Sequence, residues 1–438
     1  MSSVAVEAGG LPETQDDWYE IAERVLPGAG LGGYALPEAE RFVIRRGEGC
    51  RLLGSDGKWR IDYVCGAGAL ILGHAHPAVT EAVQAQIPDG IHFFGTLNEK
   101  AILLADELVD AIPCAEKVLF ATTGSEATFY AMRLARAVTG RDRILKFEGG
   151  YHGNHDYSNV AVAPKALSNY PAGQADTGGI PASTQDSVMI APYNDLEAVR
   201  RLVEEHRSEL AAIIVEPIQR VVCPKPDFLP GLRKICDDNG VLLIYDEVVT
   251  GFRLAYGGAQ EYFGVKPDLA AYGKVVGGAS ALSAVAGPAE IINLSAPANK
   301  GQSNYAYING TLHGNPVAAT AGLATLSELR APGFYKSLNA LGDTIRKEVQ
   351  AVLDHHGLPA VVTGDASLWQ ILFTDKAPTS YADMLSVDSE KTRAFDLTVL
   401  RHGIYALPGV RRFVSSAHAE ADIDDTLKAL DAACREFA

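Results

Sequence analysis

Residues 117–153 read KVLFATTGSEATFYAMRLARAVTGRDRILKFEGGYHG, and this stretch decides the fold class. Two short, largely apolar runs, 117–121 and 143–147, flank a segment whose apolar residues recur at helical spacing. Those residues are Ala127, Tyr130, Ala131, Leu134, Ala135 and Val138. An apolar strand, a helix and a second apolar strand are typical of a parallel sheet covered by helices.

The same alternation continues towards the C-terminus. Further apolar runs, most of them separated by helical patterns, occupy residues 211–215, 241–245 and 269–272. From about residue 318 the sequence becomes rich in helical patterns, and a final amphipathic helix is predicted over 422–437. The pattern predicts an α/β fold with its large parallel sheet in the middle of the chain.

The N-terminal part has a different texture. A helix is predicted over 16–25, and residues 48–64 form a predicted hairpin that turns at Asp56–Gly57. We therefore predict a large domain over 61–320 and a smaller α+β domain that combines 1–60 with 321–438.

Composition narrows the classes of function. Of 438 residues, 47% are hydrophobic and 21% charged, and the formal net charge is −16. Such a charge repels phosphate backbones and anionic lipid, so neither a nucleic acid nor a membrane is an expected partner. The six cysteines form no C-x-x-C pair, and we find neither a signal peptide nor an apolar run of about 18 residues. We expect a cytoplasmic enzyme with reduced thiols.

Ligands of open parallel sheets bind at the carboxyl ends of the strands. The run 117–121 ends in Thr122–Glu126, where Thr123 and Glu126 fit a capping box and the same helix start could bind phosphate. The run 143–147 ends in Glu148–Gly153. There, Tyr151 is either a core aromatic or a ring that stacks on a flat ligand, and His152 with His155 makes a poor metal pair.

Charged residues follow the next three runs. Glu216 and Asp246 come directly after apolar runs, and Lys274 follows Gly273 at the end of another. A charge at the end of a buried run is costly unless a partner meets it. The two carboxylates, Glu216 and Asp246, follow adjacent predicted strands, and this indicates a functional site. Lys274, beside the Gly277–Gly278 turn, is either an ordinary charge or a nucleophilic amine that forms a Schiff base.

Other motifs are excluded. Residues 28–33 match G-x-G-x-x-G, but they follow a predicted helix rather than a strand, so a dinucleotide site is not expected. Gly273–Lys274 is followed by Val275 and is not part of a phosphate-binding P-loop. No G-x-S-x-G elbow is present.

Five stretches together resemble the class III aminotransferases, and within them the glutamate-1-semialdehyde 2,1-aminomutase group. They are 119–153, IIVEPIQ, GVLLIYDEVVTGFR, PDLAAYGKVVGG and NGTLHGNP. The resemblance implies a pyridoxal 5′-phosphate (PLP) enzyme of fold type I, with a mostly parallel seven-stranded sheet between helices. It also implies a homodimer whose active sites lie at the interface.

The resemblance implies a role for each matching residue. Lys274 would hold PLP, Asp246 would face the pyridine nitrogen, and Tyr151 would stack on the ring; these three form the expected catalytic set. The expected cofactor-binding residues are Thr123, Gly124, Ser125, Tyr151, His152, Glu216, Asp246, Val248 and Lys274, with Gly310 and Thr311 from the partner subunit. No metal is expected.

The sequence departs from the aminomutase pattern where that group holds its substrate. The serine and arginine of its N-terminal loop are replaced within 31–35, a tryptophan is replaced by Ala67, and Val221 stands where an asparagine meets the cofactor's 3-hydroxyl. We expect a roomier, less polar pocket. Candidate substrate-binding residues are Tyr34, Ala67, Phe94 and, as a carboxylate clamp, Arg411 or Arg412.

These departures favour an aminotransferase that acts between two molecules. Its substrates would be a small-molecule amine or amino acid, bulkier or less polar than glutamate semialdehyde, and a keto acid or aldehyde acceptor. The alternatives are an aminomutase of the glutamate-1-semialdehyde type, other PLP chemistry such as racemisation, and a non-catalytic relative.

Overall fold

The computed structural model describes Pro12 and residues 14–437. Residues 1–11, 13 and 438, which belong to the predicted small domain, lie outside the described part. The strands are β1 (Ile44–Glu48), β2 (Arg51–Gly54), β3 (Trp59–Asp62), β4 (Lys117–Ala121), β5 (Arg143–Phe147), β6 (Val188–Ala191), β7 (Leu210–Val215), β8 (Leu242–Glu247), β9 (Leu269–Tyr272), β10 (Ser283–Gly287), β11 (Val361–Thr363), β12 (Leu368–Leu372), β13 (Ile404–Tyr405) and β14 (Arg412–Phe413).

The helices connect and cover these strands. They are α1 (Gln15–Val25), α2 (Cys65–Gly68), α3 (Pro77–Gln86), α4 (Glu99–Ala111), α5 (Gly124–Thr139), α6 (Ala182–Asp186), α7 (Leu196–His206), α8 (Phe228–Asn239), α9 (Gly258–Phe263), α10 (Ala289–Ile292), α11 (Pro316–Leu329), α12 (Phe334–His355), α13 (Tyr381–Leu385), α14 (Ser389–Arg401) and α15 (Glu420–Phe437). Among the residues described, none of these helices is long and apolar enough to cross a bilayer.

The central sheet has seven strands in the order β4-β10-β9-β8-β7-β5-β6. All neighbours are parallel except β10, which pairs antiparallel with β4 and β9. The predicted mostly parallel α/β sheet is confirmed. β8 extends two residues beyond the predicted run and thereby includes Asp246 and Glu247.

Alternate residues of each central strand face opposite layers of helices. On β7, Ala212 and Ile214 belong to the apolar cluster that includes α5, whereas Ile213 and Val215 pack into the cluster that includes α7 and α8. Every residue of β7 is buried, as expected for a parallel strand covered on both faces. The helical face predicted for α5 is buried apart from Val138.

A second sheet joins the two ends of the chain. The predicted hairpin forms β2 and β3, with Gly57 at a positive φ of 75° in the turn, and β1 extends it. β3 then pairs in parallel with β13, so that Ile61 lies beside Ile404. A separate three-stranded sheet, β11-β12-β14, lies in the C-terminal part.

The two predicted domain boundaries fall inside secondary-structure elements. The boundary between residues 60 and 61 lies within β3, and the boundary between residues 320 and 321 lies within α11. We propose to keep the division into two units and to assign β3 and α11 each as a whole to one unit.

All six cysteines are free thiols.

Candidate active site

The carboxyl ends of β4, β5, β7, β8 and β9 converge on a cavity of about 180 Å³. Because parallel strands end at the same edge, the motifs that follow them in sequence meet in space. The predicted residues that line the cavity are Gly124, Ser125, Tyr151, His152, Glu216, Asp246, Val248, Lys274 and Arg411. Thr128, Gly153, Ile218, Val249 and Thr250 also line it and were not predicted, although each lies near a quoted motif.

Lys274 follows β9 after one residue, Gly273, and begins a short 3₁₀ turn, Lys274–Gly277. Its backbone has a positive φ of 53°, a conformation that costs a non-glycine residue about 1–3 kcal/mol and that is common at functional sites. Burial lowers the pKa of its amine to about 8, and the positive charge of Arg411 adds to this shift. A larger fraction of free, nucleophilic amine is therefore present near neutral pH than for an ordinary lysine.

Asp246 is a buried carboxylate held in a fixed orientation. Its Oδ2 lies 2.8 Å from Nδ1 of His152, and its Oδ1 accepts a hydrogen bond of 3.1 Å from the N–H of Val248. The negative charge is thus fixed at the cavity wall, where it can stabilise a protonated ring nitrogen.

The neighbouring carboxylate faces the other way. Glu247 accepts hydrogen bonds from the N–H groups of Ala259 and Gln260 at the start of α9 and from the Thr250 hydroxyl. Burial raises the pKa of Glu247 to about 7. Successive strand residues point to opposite faces, so only Asp246 belongs to the cavity.

The N-terminus of α5 forms another part of the cavity wall. The Thr123 hydroxyl accepts a hydrogen bond from the Glu126 N–H, and the Glu126 carboxylate accepts one from the Thr123 N–H, which is the predicted capping box. Thr123 itself does not line the cavity. Gly124 and Ser125 do, and their N–H groups, at the first two positions of α5, have no partner within the helix. A cap and an anion site therefore coexist here.

Glycines let the walls approach closely. A Cβ on Gly124 would lie 2.7 Å from Cγ1 of Val248, and a Cβ on Gly153 would lie 2.5 Å from Cα of Ser125. Both positions thus exclude larger residues.

Tyr151 lies at the cavity and is not a core residue, since 40% of it is exposed. Its N–H donates to Oε2 of Glu216 at 2.9 Å. Burial raises the pKa of its phenol, and the nearby Tyr34 contributes to that rise. Tyr34 itself is exposed and does not line the cavity.

The two candidate clamp arginines have different environments. Arg411 lines the cavity with a side chain that is 13% exposed, and its Nη1 donates to the carbonyl of Arg220 at 3.0 Å and lies 3.7 Å from Oε1 of Glu216. Arg412, on β14, is only 1% exposed and pairs with the buried Asp396. Arg412 is thus a structural residue of the C-terminal unit, and the prediction that it could hold substrate is corrected.

Besides Thr123, Tyr34 and Arg412, four further predicted residues do not line the cavity of the single chain. Ala67 and Phe94 are exposed, as is Thr311, and Gly310 is partly exposed in the same loop. Ala67 lies in α2, whose four residues all have positive φ values between 47° and 90°, so α2 is a left-handed turn.

The chain belongs to the class III aminotransferases, whose family model matches residues 34–420. Its fold and cofactor chemistry are those of PLP-dependent, fold-type I enzymes, so the resemblance found in the sequence is confirmed.

Its relatives include both mutases and transaminases. The glutamate-1-semialdehyde 2,1-aminomutase of Methanococcus maripaludis is 40% identical over 401 residues, which cover 90% of this chain and 92% of the relative. The same enzyme from Methanopyrus kandleri is 40% identical over 420 residues, covering 95% and 96%. The structure of an omega-transaminase from Sphaerobacter thermophilus superposes with a TM-score of 0.91 at 34% identity and covers 97% of each chain.

The residues present fit PLP, the cofactor of this family. The cavity combines a lysine amine with a lowered pKa, an oriented carboxylate and a helix start with free N–H groups. Tyr151 and Val248 provide apolar faces for a flat ring. Each part of the cofactor therefore has a chemically suitable partner in this chain.

Proposed function

We propose that this enzyme transfers an amino group between two separate molecules, an amine or amino acid and a keto acid or aldehyde. The observation that carries this proposal is Arg411. The arginine that lines the cavity beside Lys274 comes from the C-terminal part of the chain, whereas the N-terminal loop 31–35 contains none. The arginine available to a substrate carboxylate in this cavity is therefore not the N-terminal one of the aminomutase pattern.

Each charged or polar residue of the cavity has its own role in the proposed reaction. PLP, when bound, withdraws electrons from the substrate carbon that carries the amino group. Asp246 stabilises positive charge on the ring nitrogen, and the N-terminus of α5 binds the phosphate. With its amine free, Lys274 Nζ would take the proton from that carbon and deliver it to C4′ of the cofactor, as an amino-group transfer requires. Glu216 orients the Tyr151 backbone and Arg411 together.

The pocket supports a substrate larger or less polar than glutamate semialdehyde. Ala67 offers only a methyl group where the related group has a tryptophan, and the rings of Tyr34 and Phe94 are exposed; in the single chain these three residues lie outside the cavity, so this part of the proposal rests on the sequence. The names of the curated relatives favour the alternative, a mutase that rearranges one substrate.

We also propose a homodimer. An exposed apolar strip consists of Ile91, Phe93, Phe94 and Leu97 together with Tyr307 and Leu312. Nδ2 of Asn98 donates to the carbonyl of Gly314 at 2.9 Å, which joins the two loops of this strip. A second copy would cover it and bring Gly310 and Thr311 to the neighbouring cavity.

Absorption spectroscopy tests the function. The holoenzyme should show the visible band of lysine-bound cofactor, which the best amine donor bleaches without any keto acid present. Sustained turnover should then require a carbonyl acceptor. Steady conversion of a single substrate without acceptor would instead establish the mutase. A Lys274→Ala variant should retain PLP without the covalent link and lose turnover by at least about 1,000-fold.

A further inference from the structure

Arg220 occupies a backbone position that favours glycine. Residues 219–222 form a tight turn in which the N–H groups of Gln219 and Val222 each donate to the other's carbonyl, at 3.0 and 2.9 Å. Arg220 is the first residue within this turn, with a φ of 61°. Such a conformation costs a residue with a side chain about 1–3 kcal/mol.

The guanidinium of Arg220 lies at the mouth of the cavity. Its Cζ is 5.4 Å from the centre of the Tyr151 ring, and its Nε donates to the carbonyl of Gly149 at 3.3 Å. A guanidinium carries five N–H donors. Within residues 14–437, its two terminal nitrogens have neither a hydrogen bond nor an ion pair, so four of those donors are free to bind a ligand.

Arg220 and Arg411 are joined directly. The carbonyl of Arg220 accepts the hydrogen bond from Nη1 of Arg411, so one turn orients both guanidinium groups. Glu216, the carboxylate near Arg411, is also bound by the Tyr151 N–H. Glu216 thus pairs with Arg411, whereas Arg220 has no carboxylate within ion-pair distance among the described residues.

We propose that Arg220 is a second anion-binding residue of the active site and that one of the two substrates is a dicarboxylic acid. This inference rests on the proposed aminotransferase function. Arg411 binds the carboxylate next to the reacting carbon, and Arg220 binds the distal carboxylate. A planar guanidinium with free N–H donors matches a carboxylate by paired hydrogen bonds.

Arg220 could instead serve only to hold the ring of Tyr151. A purely positioning role would change the reaction of every substrate equally and would alter the spectrum of the bound cofactor. Recognition of a distal carboxylate would affect dicarboxylates alone.

Calorimetric titration of the holoenzyme with non-reacting acids separates these roles. Glutarate carries two carboxylates and butyrate carries one. In Arg220→Gly, which relieves the backbone strain, and in Arg220→Gln, glutarate should bind at least about 10-fold more weakly while butyrate binds within about 2-fold of the parent. The KM for 2-oxoglutarate should rise similarly and that for 2-oxobutyrate should not. Arg220→Lys should restore binding only in part.

Arg201→Gln, which removes the same charge from an exposed position of α7, is the matched control and should change none of these values. Equal losses for both acids, or an altered cofactor spectrum, would assign Arg220 to positioning Tyr151 and overturn the proposal, as would unchanged glutarate binding. The visible band of lysine-bound cofactor is recorded first. Its absence would contradict the proposed function independently of Arg220.

Discussion

Lys274 owes its chemistry to its surroundings. The backbone turns it inward at a positive φ, burial disfavours its ammonium form, and Arg411 adds to the effect against the attraction of Asp246 and Glu216. The lowered pKa has a direct kinetic consequence, because only the free amine can attack a carbonyl.

We predict that covalent capture of PLP by the apoenzyme becomes faster as pH rises through about 8 and levels off above about 9. The sign follows from the lowered pKa: the free amine predominates above pH 8, whereas an ordinary lysine would need a pH above about 10.4. Stopped-flow absorbance after mixing apoenzyme with PLP at pH 6.5–9.5 measures this dependence. A midpoint near pH 10 would show that burial does not lower the pKa of the Lys274 amine.

Adjacent residues show where sequence reasoning ends at this scale. Only the family resemblance selects Asp246 over its neighbour Glu247, and nothing in the motifs favours Arg411 over Arg412. The pleat places one member of each pair in the cavity and the other in the interior. That choice depends on how far β8 and β14 extend, which only pairing with neighbouring strands decides.

At the level of elements, the start of α5 combines a helix cap with the anion site. We predict that Thr123→Ala lowers the stability of the apoenzyme by about 1 kcal/mol, since it removes the hydroxyl that accepts the Glu126 N–H. Urea unfolding measures the loss. Asp195→Ala removes the cap of α7 and is the control: it should cost a similar amount without weakening PLP binding. Thr123→Ala should also weaken PLP binding, because the cap orients the N–H groups of the anion site. Unchanged PLP affinity would show that the cap and the anion site are independent.

The left-handed turn α2 is held in place from the large unit. Arg253 is buried and donates hydrogen bonds to the carbonyls of Gly68 and Val414 and to the hydroxyl of Ser367. We predict that Arg253→Met costs about 2–3 kcal/mol, because these buried acceptors lose a charged donor. Urea unfolding of the apoenzyme measures the loss. Arg201→Met, in an exposed position on α7, should be neutral; equal effects of the two variants would contradict the assigned role.

For the molecule as a whole, the exposed apolar strip predicts association. Leu97 is 85% exposed, so Leu97→Glu should leave the subunit folded while it places a charge within the proposed interface. We expect the dimer to dissociate at least about 10-fold more readily, as measured by light scattering after gel filtration. PLP affinity should fall as well, since Gly310 and Thr311 would come from the second copy.

Leu167→Glu introduces the same charge at another exposed leucine and should leave the dimer intact. A parent protein that is monomeric at micromolar concentration would contradict the proposed assembly.

The sequence predicted the architecture well, because buried parallel strands give apolar runs that need no knowledge of their neighbours. It did not predict β6 or β10. β10, with the sequence SAVAG, is short and small, and its antiparallel place between β4 and β9 follows from long-range pairing. The sequence did not predict the left-handed turn α2 either, because its geometry depends on contacts with Arg253 and Phe413.

The parallel pairing of β3 with β13 affects how the protein matures on the ribosome. Ile61 pairs with Ile404, so the N-terminal hairpin stays without its neighbouring strand β13 until about 340 more residues have been synthesised. At translation speeds of about 5–20 residues per second, that delay lasts about 20–70 s. During this time the edge of β3 is open to other unpaired strands. The nascent N-terminal segment is therefore the part of the chain that we expect chaperones to protect.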